Sequence, residues 1–227
     1  MPNQKIAATI FPLCLLAIAL PLRAGPVALD TTNTSTLSVT IDEAPALDPA
    51  ATVSSLPYTM PLTDTDLTET STLTPDLTTS DFTLTFAQTA VNPGSSDTGS
   101  ADLFFIAGPN VIYNANATLT SNNANGDNLT IYLTDKTANA NVLTEIANDT
   151  PSSDFLPASD PLTAGDLFEF QVSASLDGPA FQTIIPAAPA PFTLAANVDL
   201  SFTQVPEPSI AGSLAIAAVL AIRRRRM

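Results

Sequence analysis

Five stretches of this chain place an apolar side chain on every second residue, and that alternation restricts the fold more than any other feature. The apolar positions are Phe82, Leu84 and Phe86 in DFTLTF, then Val111, Tyr113, Ala115, Ala117 and Leu119 in VIYNANATL, then Leu129, Ile131 and Leu133 in NLTIYLTD. Two later runs repeat the pattern, at Phe168, Phe170, Val172, Ala174 and Leu176, and at Phe192, Leu194, Ala196, Val198, Leu200 and Phe202. Successive side chains of an extended strand point to opposite faces, so each run has one apolar face and one face of Thr, Asn, Ser or Asp. Threonine suits that polar face because its β-branch fits a pleated surface. Such strands must hide their apolar sides against a second sheet. The expected fold is all-β: an antiparallel β-sandwich, with a jelly roll as one way of winding it.

Turn signals separate the runs: Asn92-Pro93-Gly94, Gly108-Pro109-Asn110, Asn125-Gly126-Asp127 and Asp177-Gly178-Pro179. The Asn125-Gly126 pair between two alternating runs predicts a hairpin. The main sandwich is expected over 81–204, with 31–42 as an additional member. Residues 25–80 form a Thr/Pro-rich segment, and from Glu43 to Ser80 the pattern fits either an extended linker or irregular edge strands. High net charge with few aromatics is a signature of disorder. Here, however, charged residues are only 13% of the chain and most polar positions are Thr, Ser and Asn. The alternation therefore decides for a folded domain with one core.

Charge excludes several functions. From Val27 to Gln204 the single basic residue is Lys136, against 21 carboxylates, a net charge of −20. A surface of that sign repels phosphate backbones, which argues against a nucleic-acid partner. The same stretch contains no His, Cys, Trp or Arg. Histidine acid–base chemistry, cysteine nucleophiles, zinc centres and disulfides lack their residues there. A glycosidase needs only two carboxylates, and Asp64, Asp66 and Glu69 in DTDLTE are the nearest cluster. Asp alternating with Thr is more commonly plain solvation.

No cofactor is expected, with calcium as the alternative, because Ca²⁺ accepts oxygen ligands alone. Two places offer them: Asn123, Asn125 and Asp127 in NNANGD, and Asp64, Asp66 and Glu69. The first lacks full EF-hand spacing and reads equally as turn-forming residues. Exposed aromatics are the usual platform for sugar rings. Tyr113 follows the apolar alternation and is expected in the core, whereas Tyr132 falls opposite Leu129, Ile131 and Leu133 and is the candidate ligand contact. Sequons such as Asn116-Ala117-Thr118 are expected by chance in a chain this rich in Asn and Thr.

The two ends carry an address. Met1 to Lys5 is a short basic start, Ile6 to Leu22 is an apolar run, and Ala24 supplies a small residue, the parts of a secretory signal peptide over 1–24. Cleavage is expected after Ala24, with Ala28 as the alternative. Pro12 and Pro21 argue against a permanent anchor helix, and Cys14 leaves with the signal. At the other end, Ile210 to Ile222 is apolar apart from Ser213 and precedes Arg223, Arg224, Arg225 and Arg226. As a helix, that segment spans roughly 20 Å against the ~30 Å hydrocarbon core. It is a short transmembrane segment whose arginines hold the C-terminus on the cytoplasmic side.

Val205-Pro206-Glu207-Pro208-Ser209, the apolar segment and the arginine cluster together resemble the PEP-CTERM sorting signal of Gram-negative bacteria. The resemblance is confined to 205–227. It implies an exosortase-type processing enzyme as partner, recognition at Pro206, Glu207 and Pro208, transient membrane anchoring, and delivery to the cell surface or extracellular matrix. The expected function is that of an exported, non-catalytic surface or matrix protein, associated with exopolysaccharide. The alternative is a carbohydrate- or calcium-binding β-sandwich module, and a carboxylate glycosidase comes third.

Overall fold

The structure, a computed structural model, describes residues 25–41, 48–66, 68–91, 96–122, 127–148, 152–154, 158–177 and 191–206. The expected signal helix, the apolar tail segment and the arginine cluster lie outside them. Among the described residues there is no helix, and every strand pairing is antiparallel. The strands are β1 (Val27–Leu29), β2 (Ser35–Ile41), β3 (Ala50–Val53), β4 (Leu62–Thr65), β5 (Glu69–Leu77), β6 (Asp81–Ala90) and β7 (Ser96–Ala107). They continue with β8 (Val111–Ser121), β9 (Asn128–Asp135), β10 (Ala140–Asn148), β11 (Ser152–Asp154), β12 (Ala158–Pro161), β13 (Leu167–Asp177) and β14 (Phe192–Gln204).

The strands form two sheets. The front sheet runs β10-β9-β13-β7-β2-β3, with β1 also on β7. The back sheet runs β11-β8-β14-β6-β5-β4, with β12 also on β8. The inward faces of both contribute to one continuous hydrophobic cluster, so the molecule is a two-sheet antiparallel sandwich. All five alternating runs became strands, with their apolar residues inside.

Two readings of connectivity are revised. The Asn125-Gly126 turn was expected to close a hairpin, but β8 and β9 belong to different sheets and do not pair. A connection of a few residues can turn back within a sheet or step across to the facing one. The alternation on either side is the same in both cases, so the sequence does not distinguish them. Where 43–80 is described, it forms strands, some of them at the sheet edges. Among the described residues there, β3 and β4 lie at the sheet edges, while β5 sits between β4 and β6. The inward residues of β5 begin Glu69, Ser71, and this polar start disguised its alternation.

Packing follows the alternation. Leu37 and Val39 of β2, Leu103 and Phe105 of β7 and Phe168 and Phe170 of β13 face Leu73 and Leu77 of β5, Phe82, Leu84 and Phe86 of β6 and Val198 and Leu200 of β14. Phe105 is in ring contact with Phe82, Phe168 and Phe202, at centroid distances of 5.5, 5.6 and 5.1 Å. Aromatic pairs at such separations add about 0.5–1.5 kcal/mol beyond their area burial. Gly99 sits on the inward side of β7 because a Cβ there would stand 2.6 Å from Cδ1 of Phe86.

Candidate functional site

The register of the front sheet lines up its outward residues in rows. One row reads Thr144, Tyr132, Gln171, Asp102, Thr36 and Thr52, on β10, β9, β13, β7, β2 and β3 in turn. The adjacent row reads Ile146, Thr130, Ser173, Ser100, Ser38 and Ala50. Where the small hydroxyl residues of the second row meet the larger side chains of the first, the surface sinks. The result is an open depression of about 280 Å³ lined by Ser100, Asp102, Thr130, Tyr132, Gln171 and Ser173, with Ala101 and Val172 beneath. Neighbouring strands lie about 4.8 Å apart, so roughly 10 Å separates the Tyr132 and Asp102 backbones across Gln171.

Hydrogen bonds fix the polar groups around this dish. Gln171 donates through Nε2 to Glu169 Oε1 at 3.3 Å, and Glu169 Oε2 is paired with Lys136 Nζ at 2.9 Å. Ser38 and Ser100 share a hydrogen bond of 2.7 Å between their hydroxyls, and Thr130 donates to the Ser173 carbonyl at 3.4 Å. Asp102 is held above the ordinary carboxylate range, first by burial and then by the Glu169 charge, while Gln171 and Lys136 pull it back. Its Oδ1 is shielded from solvent and accepts no hydrogen bond from the described residues.

A second polar cluster lies between the sheets, at the end away from the cluster of Phe82, Phe105, Phe168 and Phe202. Glu69 of β5 and Asp97 of β7 are both buried, on facing sheets. Among the described residues no N–H or alcohol hydroxyl reaches either Asp97 oxygen, and the group before it is the Glu69 carboxyl. Burial, then the charge of Glu69, then Asp66 and Asp64 push Asp97 up to about 7. Gln88 lies just inside this pair and donates through Nε2 to Ser71 Oγ and to the Ala174 carbonyl, both at 3.2 Å.

The DTDLTE carboxylates prove to be turn builders. Asp64 accepts the backbone N–H of Asp48 at 3.1 Å and of Thr65 at 2.9 Å. Asp66 Oδ1 accepts the N–H groups of Thr68 and Glu69 at 2.6 and 2.7 Å, closing the turn from β4 to β5. Asp64 and Glu69 are buried, Asp66 is partly exposed, and no three ligating side chains are grouped as a metal cage among the described residues. Asp127 is buried and accepts from the Ser121 hydroxyl, whereas Asn123 and Asn125 lie outside the described residues. Tyr113 is in the core, as its alternation requires, and Tyr132 lines the dish on the front sheet. Pro206 is described and exposed just past β14, while Glu207, Pro208 and Arg223–Arg226 are outside the described set.

Sequence reasoning missed Asp97, Asp102 and Gln171. Asp97 had a readable signal, since it shares parity with Gly99, Ala101, Leu103 and Phe105 on β7. Asp102 and Gln171 had none, because only the pairing of β7 with β13 places them side by side.

The class defined so far is an antiparallel two-sheet β-sandwich with an acidic, hydroxyl-rich exterior. No family model matches the chain, and no curated protein matches it. Among solved structures, a chain from the structure of infectious bursal disease virus Gt strain is similar at 13% identity, over 88% of this chain and 72% of that one, with a TM-score of 0.22. A score that low carries no argument about fold or function.

Proposed function

We propose that this protein is an exported, non-catalytic β-sandwich of the cell surface or extracellular matrix, delivered by its C-terminal sorting signal. The observation that carries this reading is where the last described strand ends. β14 ends at Gln204, and the Val205 N–H donates to the Asn110 carbonyl at 2.8 Å, the last backbone tie among the described residues. The Pro206-Glu207-Pro208 motif therefore begins immediately beyond the last described strand, and a processing enzyme cutting there removes none of the fourteen described strands. The acidic, Thr- and Asn-rich exterior suits a protein that stays soluble outside the cell and away from anionic headgroups.

In this reading an exosortase-type enzyme recognises Pro206, Glu207 and Pro208. The segment 210–222 anchors the chain transiently, and Arg223 to Arg226 keep its end cytoplasmic until cleavage. The winding supports a jelly-roll relationship. β13 enters the front sheet between β7 and β9, and β14 enters the back sheet between β6 and β8, an order of Greek-key type.

The test is the intact mass of the protein recovered from its native cell surface. A polypeptide ending between Val205 and Ser209, bare or with an added group, supports the proposal. A mass that retains Arg223 to Arg226 overturns the sorting step and leaves a permanently anchored ectodomain.

A further inference from the structure

We infer that the dish on the front sheet is a binding site for a neutral hexose unit of a polysaccharide. Three independent features converge on that class of ligand. Tyr132 supplies an aromatic wall, which offers its face to the C–H groups of a sugar ring. Asp102, across Gln171, lines the dish with a carboxylate, of which Oδ1 is shut off from solvent and Oδ2 is the oxygen a ligand can reach. A carboxylate oxygen on the wall of the dish accepts from an incoming hydroxyl, and a hydrogen bond to a charged acceptor is among the stronger ones. Ser100, Ser173 and Thr130 keep the floor low, so a ring can approach the sheet closely enough to reach both walls.

Charge then selects among saccharides. Asp102 and Glu169 stand together, and Lys136, the one cation near them among the described residues, is already paired with Glu169. A uronate or sulfated sugar would meet two carboxylates with no uncommitted cation to neutralise it, whereas neutral hydroxyls find an acceptor in Asp102 and both donors and acceptors in Gln171 and the serines. The depression is open along the rows, as a unit within a continuing chain requires. The floor rows extend past it in both directions as Thr, Ser and Ile146. This inference does not depend on the sorting signal. It requires only the folded sandwich.

The experiment is affinity electrophoresis of the purified full-length protein through native gels containing a soluble α-glucan, a β-glucan, a galactomannan or polygalacturonate. At least one neutral polymer should retard the wild type, and polygalacturonate should not. Tyr132→Ala and Asp102→Ala should each weaken that retardation about tenfold or more, which is the loss of one good contact. Ser173→Leu should abolish it by filling the floor without touching the core. Thr85→Ala, on the outer face of the back sheet, should leave it unchanged, as should about 0.5 M salt, because a neutral ligand has no charge to screen. If Tyr132→Ala fails to fold, Ser173→Leu decides alone. The proposal falls if no neutral polymer retards the wild type, if polygalacturonate retards it equally, or if Asp102→Ala and Ser173→Leu bind like wild type.

Discussion

The two ends of the sandwich interior are built on opposite principles. At one end Phe82, Phe105, Phe168 and Phe202 meet in a dry aromatic cluster. At the other, along the same strands, Glu69 faces Asp97 across the gap between the sheets. The aromatic end gains from every atom it hides, because apolar burial contributes about 25 cal/mol per Å² whatever the pH. The carboxylate end is stable only if a proton is retained, since two ionised carboxylates cannot share a dry site. One end therefore fixes the fold, and the other makes it responsive to its surroundings.

The largest expected effect breaks the aromatic end. Phe105→Ala removes three ring contacts at once and should destabilise the protein by about 3–5 kcal/mol in urea unfolding. A loss below about 1 kcal/mol would mean that the cluster is not the anchor described. Gly99→Ala comes next, because its Cβ would press on Phe86 at 2.6 Å. It should cost roughly 1–3 kcal/mol, and Phe86→Leu in the same chain should recover part of that.

Third is pH. The folded value of Asp97 is about 7 and that of Asp81 about 6, Asp81 being raised by burial and then by its neighbour Asp199, against 3.8 for each in the unfolded chain. The folded state thus binds more protons between those limits, so this stabilisation is complete below 3.8 and is lost as pH rises through 6 and 7. The melting temperature should fall from about pH 4 to about pH 7 and level off above that, and Asp97→Asn should flatten that slope and exceed wild type at the alkaline end, by on the order of 1 kcal/mol. An equal slope in the variant would place the titration elsewhere. The smallest effect should come from Lys136→Met. The exposed ion pair with Glu169 is worth at most about 0.5 kcal/mol, detectable only at low salt.

The sequence revealed the aromatic end and concealed the other. Phe82, Phe86, Phe168 and Phe202 occupy alternating positions that period-two reading sorts inward without knowing any pairing, whereas Phe105, beside Phe104, was in none of the five runs. Glu69 and Asp97 occupy inward positions too, but a carboxylate at such a position normally marks the solvent face, so alternation alone assigned these ends wrongly or not at all. The dish was half legible. Tyr132 was singled out by its parity on β9, whereas its partners come from strands 30 to 40 residues away and are set beside it only by β13 joining β9 to β7. The hairpin expected at Asn125-Gly126 failed for a related reason. Residue type specifies that the chain turns, and the competition among sheets for partners decides which way.

The placement of β13 and β14 has a consequence for how the chain is made. These late strands lie at the centre of both sheets: β7 and β9 touch through β13, and β6 and β8 through β14. A growing chain can form the β5–β6 and β9–β10 hairpins early, yet the front sheet becomes continuous only when β13 is present and the back sheet only when β14, ending at Gln204, is present. Contacts so distant in sequence also slow closure. The architecture thus leaves both sheets divided until the last two described strands arrive and close them.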